Sequence, residues 1–446
     1  MRSRIQGVKT WMVLLLAVAA SAGVMGMGAG HAGQRDAGNG VLSGDLGLRF
    51  VAPAASGASS SSARLLLNAA VSQSWAIELA SPNAQFSGVF GTSVAISGNL
   101  VVVGAPSETA LGLSGAGHAY TFNAKTGALV STLTSPNAVA FGNFGNSVAT
   151  SGGKVVVGAP TETASGLADA GHAYTFNAKT GALISTLTSP NAQANGGFGS
   201  SVGISGATVV VGTPYESVSG LGDAGHAYTF NAKTGALIST LTSPNVQSSG
   251  WFANSVAIGG STVVVGAPLE TASGLGDAGH AYTFNAKTGA LISTLTSPNG
   301  VTGGFFGQSV AIGGATIVVG APDETASGQS SAGHAYTFNA KTGVPITTLT
   351  SPNAQAGGGF GSSVGIGGTR LVVGAYGESS AGLSGAGDAY TFNAKTGALI
   401  STLTSLNAQS GGAFGFSVAI STAKVVVGAH YETVFGLSNG GIVYLF

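Results

Sequence analysis

The chain contains no cysteine, so disulfide staples, thiol catalysis and a lipid-modified N-terminal cysteine are all excluded. Charge is nearly as scarce. Asp, Glu, Lys and Arg make up 7% of the 446 residues, against about a quarter in ordinary soluble proteins. With 15 acids against 15 bases the formal charge is zero, a balance that calls for no nucleic acid and implies no anionic membrane. Gly, Ala, Ser, Thr and Asn take the place of the missing charge and give a polar, uncharged surface suited to an extracellular setting. Long apolar runs are also missing, with one exception. Arg2, Arg4 and Lys9 precede a run from Trp11 to Ala20, and Ala20-Ser21-Ala22 then offers the small-x-small pattern of a signal-peptidase site. Residues 1–32 are therefore read as a signal peptide, and residues 33–73, rich in Gly, Ala and Ser, as a low-complexity linker. An uncleaved N-terminal anchor is the competing reading of a run this close to the lower length limit of a span. After signal removal no membrane span is expected, and the protein is expected to be secreted or at the cell surface.

Against these absences stands one repetition. Val-Val-Gly followed by Ala or Thr recurs at Gly104, Gly158, Gly212, Gly266, Gly320, Gly374 and Gly428, always 54 residues apart. A Phe keeps the same interval fourteen residues earlier, from Phe90 to Phe414, and Gly follows it in every copy except at Ala253. A period of this size marks a solenoid, propeller or array, because one unit cannot bury its apolar faces alone. The copies fill residues 74–446 and leave room for no further domain.

Within the copy from Phe90 to Thr134, four strand-like runs alternate with turn residues. Strands A (Ser93 to Ile96) and B (Leu100 to Val103) flank Ser97-Gly98-Asn99, while C (His118 to Phe122) and D (Ala128 to Leu133) flank Asn123 to Gly127; each pair reads as a hairpin. In strand C, His118, Tyr120 and Phe122 alternate with Ala119 and Thr121, so a bulky face can meet a small face of the next unit. The fold class expected is all-β, a seven-bladed propeller with four antiparallel strands per blade. The seventh copy stops at Phe446 without a strand D, and Trp75 to Ala80 occupies the matching slot one period before residue 133. An N-terminal strand is thus expected to close the last blade and remove a sheet edge.

Phe90-Gly91 followed by Gly104-Ala105-Pro106 resembles the FG-GAP repeat of integrin α-chain propellers and of many secreted bacterial proteins. The motif weakens to Phe252-Ala253, to Gly212-Thr213-Pro214, and to Gly374-Ala375-Tyr376 and Gly428-Ala429-His430. The resemblance implies a seven-bladed propeller used for binding. Several integrin blades carry a carboxylate-rich calcium loop between strands A and B, whereas turns such as Ser97-Gly98-Asn99 here lack the oxygen ligands a hard cation needs. No calcium is expected in these turns, and no metal or other cofactor elsewhere.

Alternation places the B–C loops and D–A connectors at one end of the ring and the A–B and C–D turns at the other. The loop end carries one Glu per copy, Glu108 to Glu432, read either as a cation site at the channel mouth or as a loop-stabilising carboxylate that accepts backbone hydrogen bonds. Lys125 to Lys395 mark the turn end as solvated turn residues. His118, His172, His226, His280 and His334 open strand C in separate blades, which suits pairing within each blade and not a shared metal. Ser, His and Glu are too frequent for any triad to be informative, so no catalytic residue is assigned. A ligand without sevenfold symmetry must be read by residues that break the repeat. Tyr215, Tyr376, His430, Tyr431 and Phe435 do so in the B–C loops, and Trp251 and Phe305 just before the Phe-Gly position; neutral drift or local packing is the alternative reading.

The expected function is noncatalytic adhesion or recognition of an extracellular protein or carbohydrate, with no nucleic-acid partner and the oligomeric state open. A secreted hydrolase or lyase with its site in the axial channel is the alternative, favoured by titratable groups there. A self-associating structural component is the third reading.

Overall fold

The computed structural model describes residues 76–446; the expected signal peptide (1–32) and linker (33–73) lie outside the described residues, as does Trp75. Blade 1 is β2 (Ser93–Ser97), β3 (Leu100–Ala105), β4 (His118–Asn123) and β5 (Leu129–Leu133), paired in that order and antiparallel throughout. Blades 2 to 6 repeat it as β6–β9 (147–187), β10–β13 (201–241), β14–β17 (255–295), β18–β21 (309–350) and β22–β25 (363–404). Blade 7 is β26 (Ser417–Ile420), β27 (Val425–Ala429) and β28 (Ile442–Leu445), and its fourth strand is β1 (Ile77–Leu79). All the described secondary structure is strand. Strand B runs two residues past the expected end because Gly104 and Ala105 still pair with Ala119 and His118.

Closure follows the expected geometry. Ile77, Glu78 and Leu79 pair with Leu445, Tyr444 and Val443, so the first and last described strands share one sheet and the edge of β28 is covered by β1, which becomes the outer strand of blade 7. The outer strand of blades 1 to 6 is an exposed edge, and each carries a register shift, as between Thr121 and Phe122, where Leu129 and Val130 face a single partner residue. Such bulges twist an edge away from further strand pairing.

The core lies between blades. Phe144, Val155, Val157, Tyr174 and Phe176 of blade 2 pack on Val102, Ala119 and Leu133 of blade 1, which is the expected bulky-on-small arrangement, and six more clusters of the same kind complete the ring. Each fully buried aromatic contributes about 2 to 3 kcal/mol before entropy is counted.

The repeated motif acts as a fastener between neighbours. The amide of Gly145, in the Phe-Gly pair of blade 2, donates to the Gly158 carbonyl of its own blade. Its carbonyl accepts the Ser93 hydroxyl of blade 1 at 2.8 Å. That carbonyl also abuts Gly104, where a Cβ would fall on it, which is why Val-Val must be followed by Gly. The last fastener joins Ser417 to the Gly91 carbonyl at 2.6 Å and crosses the closure.

Candidate functional site

Each blade contains one buried glutamate, and its surroundings correct the expectation of a backbone-bonded Glu. Glu108 is fully buried and accepts the hydroxyls of Tyr120 and Ser81, with His118 Nδ1 3.0 Å from its Oε2. The partners are side chains because Ser81 caps its own turn, its Oγ accepting the Asn83 amide at 3.0 Å, and so presents its hydroxyl to the next blade's loop. The five histidines pair in this way, each within its own blade. Burial, followed by the neighbouring carboxylate, pushes the Tyr120 phenol above its ordinary range. None of the seven Glu side chains lines the channel, so they form no ring at its mouth.

The last two blades lack the histidine. Asp388 stands beside Glu378 in blade 6, and burial raises both carboxyls, Glu378 to about 7. Blade 7 has Ile442 at the position, and burial raises Glu432 to about 7. Among the described residues no three of His, Asp and Glu are grouped as a metal would require.

The axial channel is walled by the first strand of each blade. Its middle is aliphatic, with residues such as Val94, Ile96, Val202 and Ile204, and Thr150 among them. Its loop-end mouth is a ring of hydroxyls and amides, including Thr92, Asn146, Ser200, Asn254 and Gln308, broken once by Phe416. No ionisable side chain lines either section.

From this mouth a cleft of about 440 Å³ crosses the loop end of blades 2 to 4. Its wall is made of Asn143, Asn146, Thr161, Asp169, Asn195, Ser200, Tyr215 and Asn254, with Pro160 and Gly197. Asn143 is held by Thr161 Oγ1 at 2.9 Å and Asn146 by the Ser200 carbonyl at 3.2 Å. The side chains of Asp169, Asn195, Tyr215 and Asn254 make no hydrogen bond to other described residues. Tyr215 is braced edge-on by Trp251, their ring centroids 5.5 Å apart, and remains 39% exposed. Burial and the Asp223 carboxylate push its phenol up.

The repeat-breaking residues thus fall into three places. Tyr215 and Trp251 meet at the cleft. Tyr376, His430 and Tyr431 join a second group through Phe416, with centroids 5.7 Å (Tyr376–Phe416), 4.0 Å (Phe416–His430) and 3.8 Å (His430–Tyr431) apart. Phe305 and Phe435 stand outside both groups, Phe435 79% exposed. His430 corrects the expectation of an exposed aromatic. It is 3% exposed between Phe416 and Tyr431, and burial lowers its pKa to about 4. Trp251, Phe305 and Phe435 all have left-handed backbones, φ 50°, 54° and 52°, a conformation costly for bulky side chains. Phe416 escaped the sequence reading, although its counterparts one period apart, Ser362 and Gln308 among them, are all polar.

None of the curated proteins compared with the chain matches it. The FG-GAP repeat model matches seven times, over residues 78–122, 128–176, 183–230, 237–284, 291–338, 346–392 and 399–446. Each matched unit takes the outer strand of one blade and the three inner strands of the next, so each interblade fastener joins two successive units, as Ser93 of the first meets Gly145 of the second. Seven such units in a closed ring of seven four-stranded blades place the chain in the FG-GAP repeat family, as a propeller like that of integrin α-chains.

Proposed function

We propose that the chain is a noncatalytic, adhesion-type binding propeller acting in the secreted or cell-surface compartment, with the loop-end cleft as its ligand site. The observation that carries this reading is the Tyr215–Trp251 pair at a cleft whose remaining wall is amide and hydroxyl with one carboxylate. An aromatic face beside unengaged polar groups suits an uncharged, hydroxyl-rich ligand such as a carbohydrate, or a neutral stretch of an extracellular protein. The strained backbone of Trp251 supports it, since the corresponding positions in blades 3 and 6 use Gly197 and Gly359. The test is a glycan array and an extracellular-protein pull-down with the full chain, Tyr215→Ala and Trp251→Gly. The aromatic variants should lose at least tenfold in affinity, and Trp251→Gly should keep or raise the unfolding midpoint. Undiminished binding by both would refute the assignment of this cleft.

A further inference from the structure

The zero net charge conceals a separation of sign along the ring axis that only Glu78 breaks among the described side chains. Six lysines, Lys125, Lys179, Lys233, Lys287, Lys341 and Lys395, sit in the C–D turns, all exposed. The other described cations, Lys154, Arg370 and Lys424, follow the A–B turns at the same end. The described carboxylates lie at the opposite, loop end, with the exception of Glu78 on β1. No lysine or arginine has an ion-pair partner among the described residues.

We infer that the turn end docks flat on an anionic lipid bilayer. Six turns of identical length, repeated around a closed ring, hold their lysines at one height, so a planar negative surface can meet them all together, whereas a linear polyanion meets only a few. The residues leaving the same turns add an apolar component. Leu237 and Ile238 are 46% and 37% exposed, Leu291 and Ile292 46% and 42%, and Leu399 and Ile400 47% and 48%. Beside one turn, Leu100, Val130, Ala178 and Lys179 line a groove of about 340 Å³ between blades 1 and 2. Lysine next to exposed aliphatics is the composition of a surface that settles at the headgroup boundary. Self-association through this end is opposed by like charge. The orientation leaves the loop end and its cleft facing away from the bilayer, and the inference stands whether or not the cleft binds a ligand.

The test is co-sedimentation of the full chain with phosphatidylcholine vesicles containing about one-quarter phosphatidylserine, against pure phosphatidylcholine. Near an anionic leaflet each lysine is worth about 1 kcal/mol, close to a fivefold change in partitioning. Lys233→Gln/Lys287→Gln should therefore weaken binding about 25-fold, with the N-terminal 75 residues common to both proteins. Raising salt from about 0.05 to about 0.5 M should release the wild type. Ile238→Ser/Ile292→Ser should weaken vesicle binding and leave binding to dextran sulfate unchanged, and Asp223→Asn/Asp277→Asn should alter neither. Equal binding to both vesicle types, a lysine variant within twofold of wild type, or no effect of the isoleucine changes would overturn the inference, the last in favour of a soluble polyanion. A solution mass that rises with concentration and falls with salt would overturn it in favour of head-to-tail stacking of copies.

Discussion

Three glycines of blade 4 separate the fastener from every other role a glycine can play. At Gly266 a Cβ would fall on the Gly307 carbonyl and crowd the Ser255 hydroxyl that donates to it at 2.7 Å. At Gly274 a Cβ would meet open space, but φ is +80°. At Gly276 it would meet open space with no left-handed constraint. Gly266→Ala forces two backbones apart, for about 1 to 3 kcal/mol of overpacking, and breaks or lengthens a hydrogen bond worth about 1 kcal/mol. The total destabilisation is about 2 to 4 kcal/mol. Gly274→Ala carries only the left-handed penalty of about 1 kcal/mol. Gly276→Ala removes freedom from the unfolded chain and should be neutral or stabilising by up to about 1 kcal/mol. Urea unfolding followed by far-ultraviolet circular dichroism ranks the three. A Gly266→Ala midpoint no lower than that of Gly274→Ala would refute the argument that the motif joins blades by backbone contact.

Ala253 occupies a position filled by Gly in the other six copies and has φ 71°, where Gly91, Gly145 and Gly199 have 93° to 96°. Ala253→Gly should stabilise by about 1 kcal/mol in the same assay. Glu378 and Glu432 have folded pKa values of about 7 against an ordinary 4.5, so the folded state holds a proton that the unfolded state has released. Their contribution is complete below pH 4.5 and disappears as pH rises through about 7, a loss of about 3 kcal/mol per site. Glu432→Gln should flatten this fall between about pH 5 and pH 8, and Asp388→His should reduce it at Glu378 by restoring the pairing of blades 1 to 5; unchanged slopes in both would contradict the assignment. Deleting residues 75–80 removes the partner of β28 and the buried Leu79, and should lower the unfolding midpoint of the whole ring; an unaltered melt would count against closure as a source of stability.

The ring was legible in the sequence because its information is periodic. An unbroken interval fixed the number of blades, strand alternation fixed the packing faces, and the missing strand at Phe446 pointed to Ile77–Leu79. The site was only partly legible. Tyr215 and Trp251 could be found as departures from the repeat, but their contact joins two copies across the chain. Phe416 was hidden beside the conserved-looking Phe414 and Ser417. The Glu partners were hidden by separation, since Ser81 is 27 residues and Tyr120 12 residues from Glu108. The cleft depends as much on the small Gly197 as on the residues around it. A sum of charges contains no direction, so a total of zero could not reveal that its two signs occupy opposite ends.

The fastening scheme also has an evolutionary consequence. Because the repeat interval is a constant 54 residues, near-identical coding segments can misalign during recombination and still exchange in frame. A gain or loss of one unit would leave each remaining joint intact and the two termini still able to find each other. The products expected of such exchange are chains that differ by whole blades, with no frayed or half-formed blade among them.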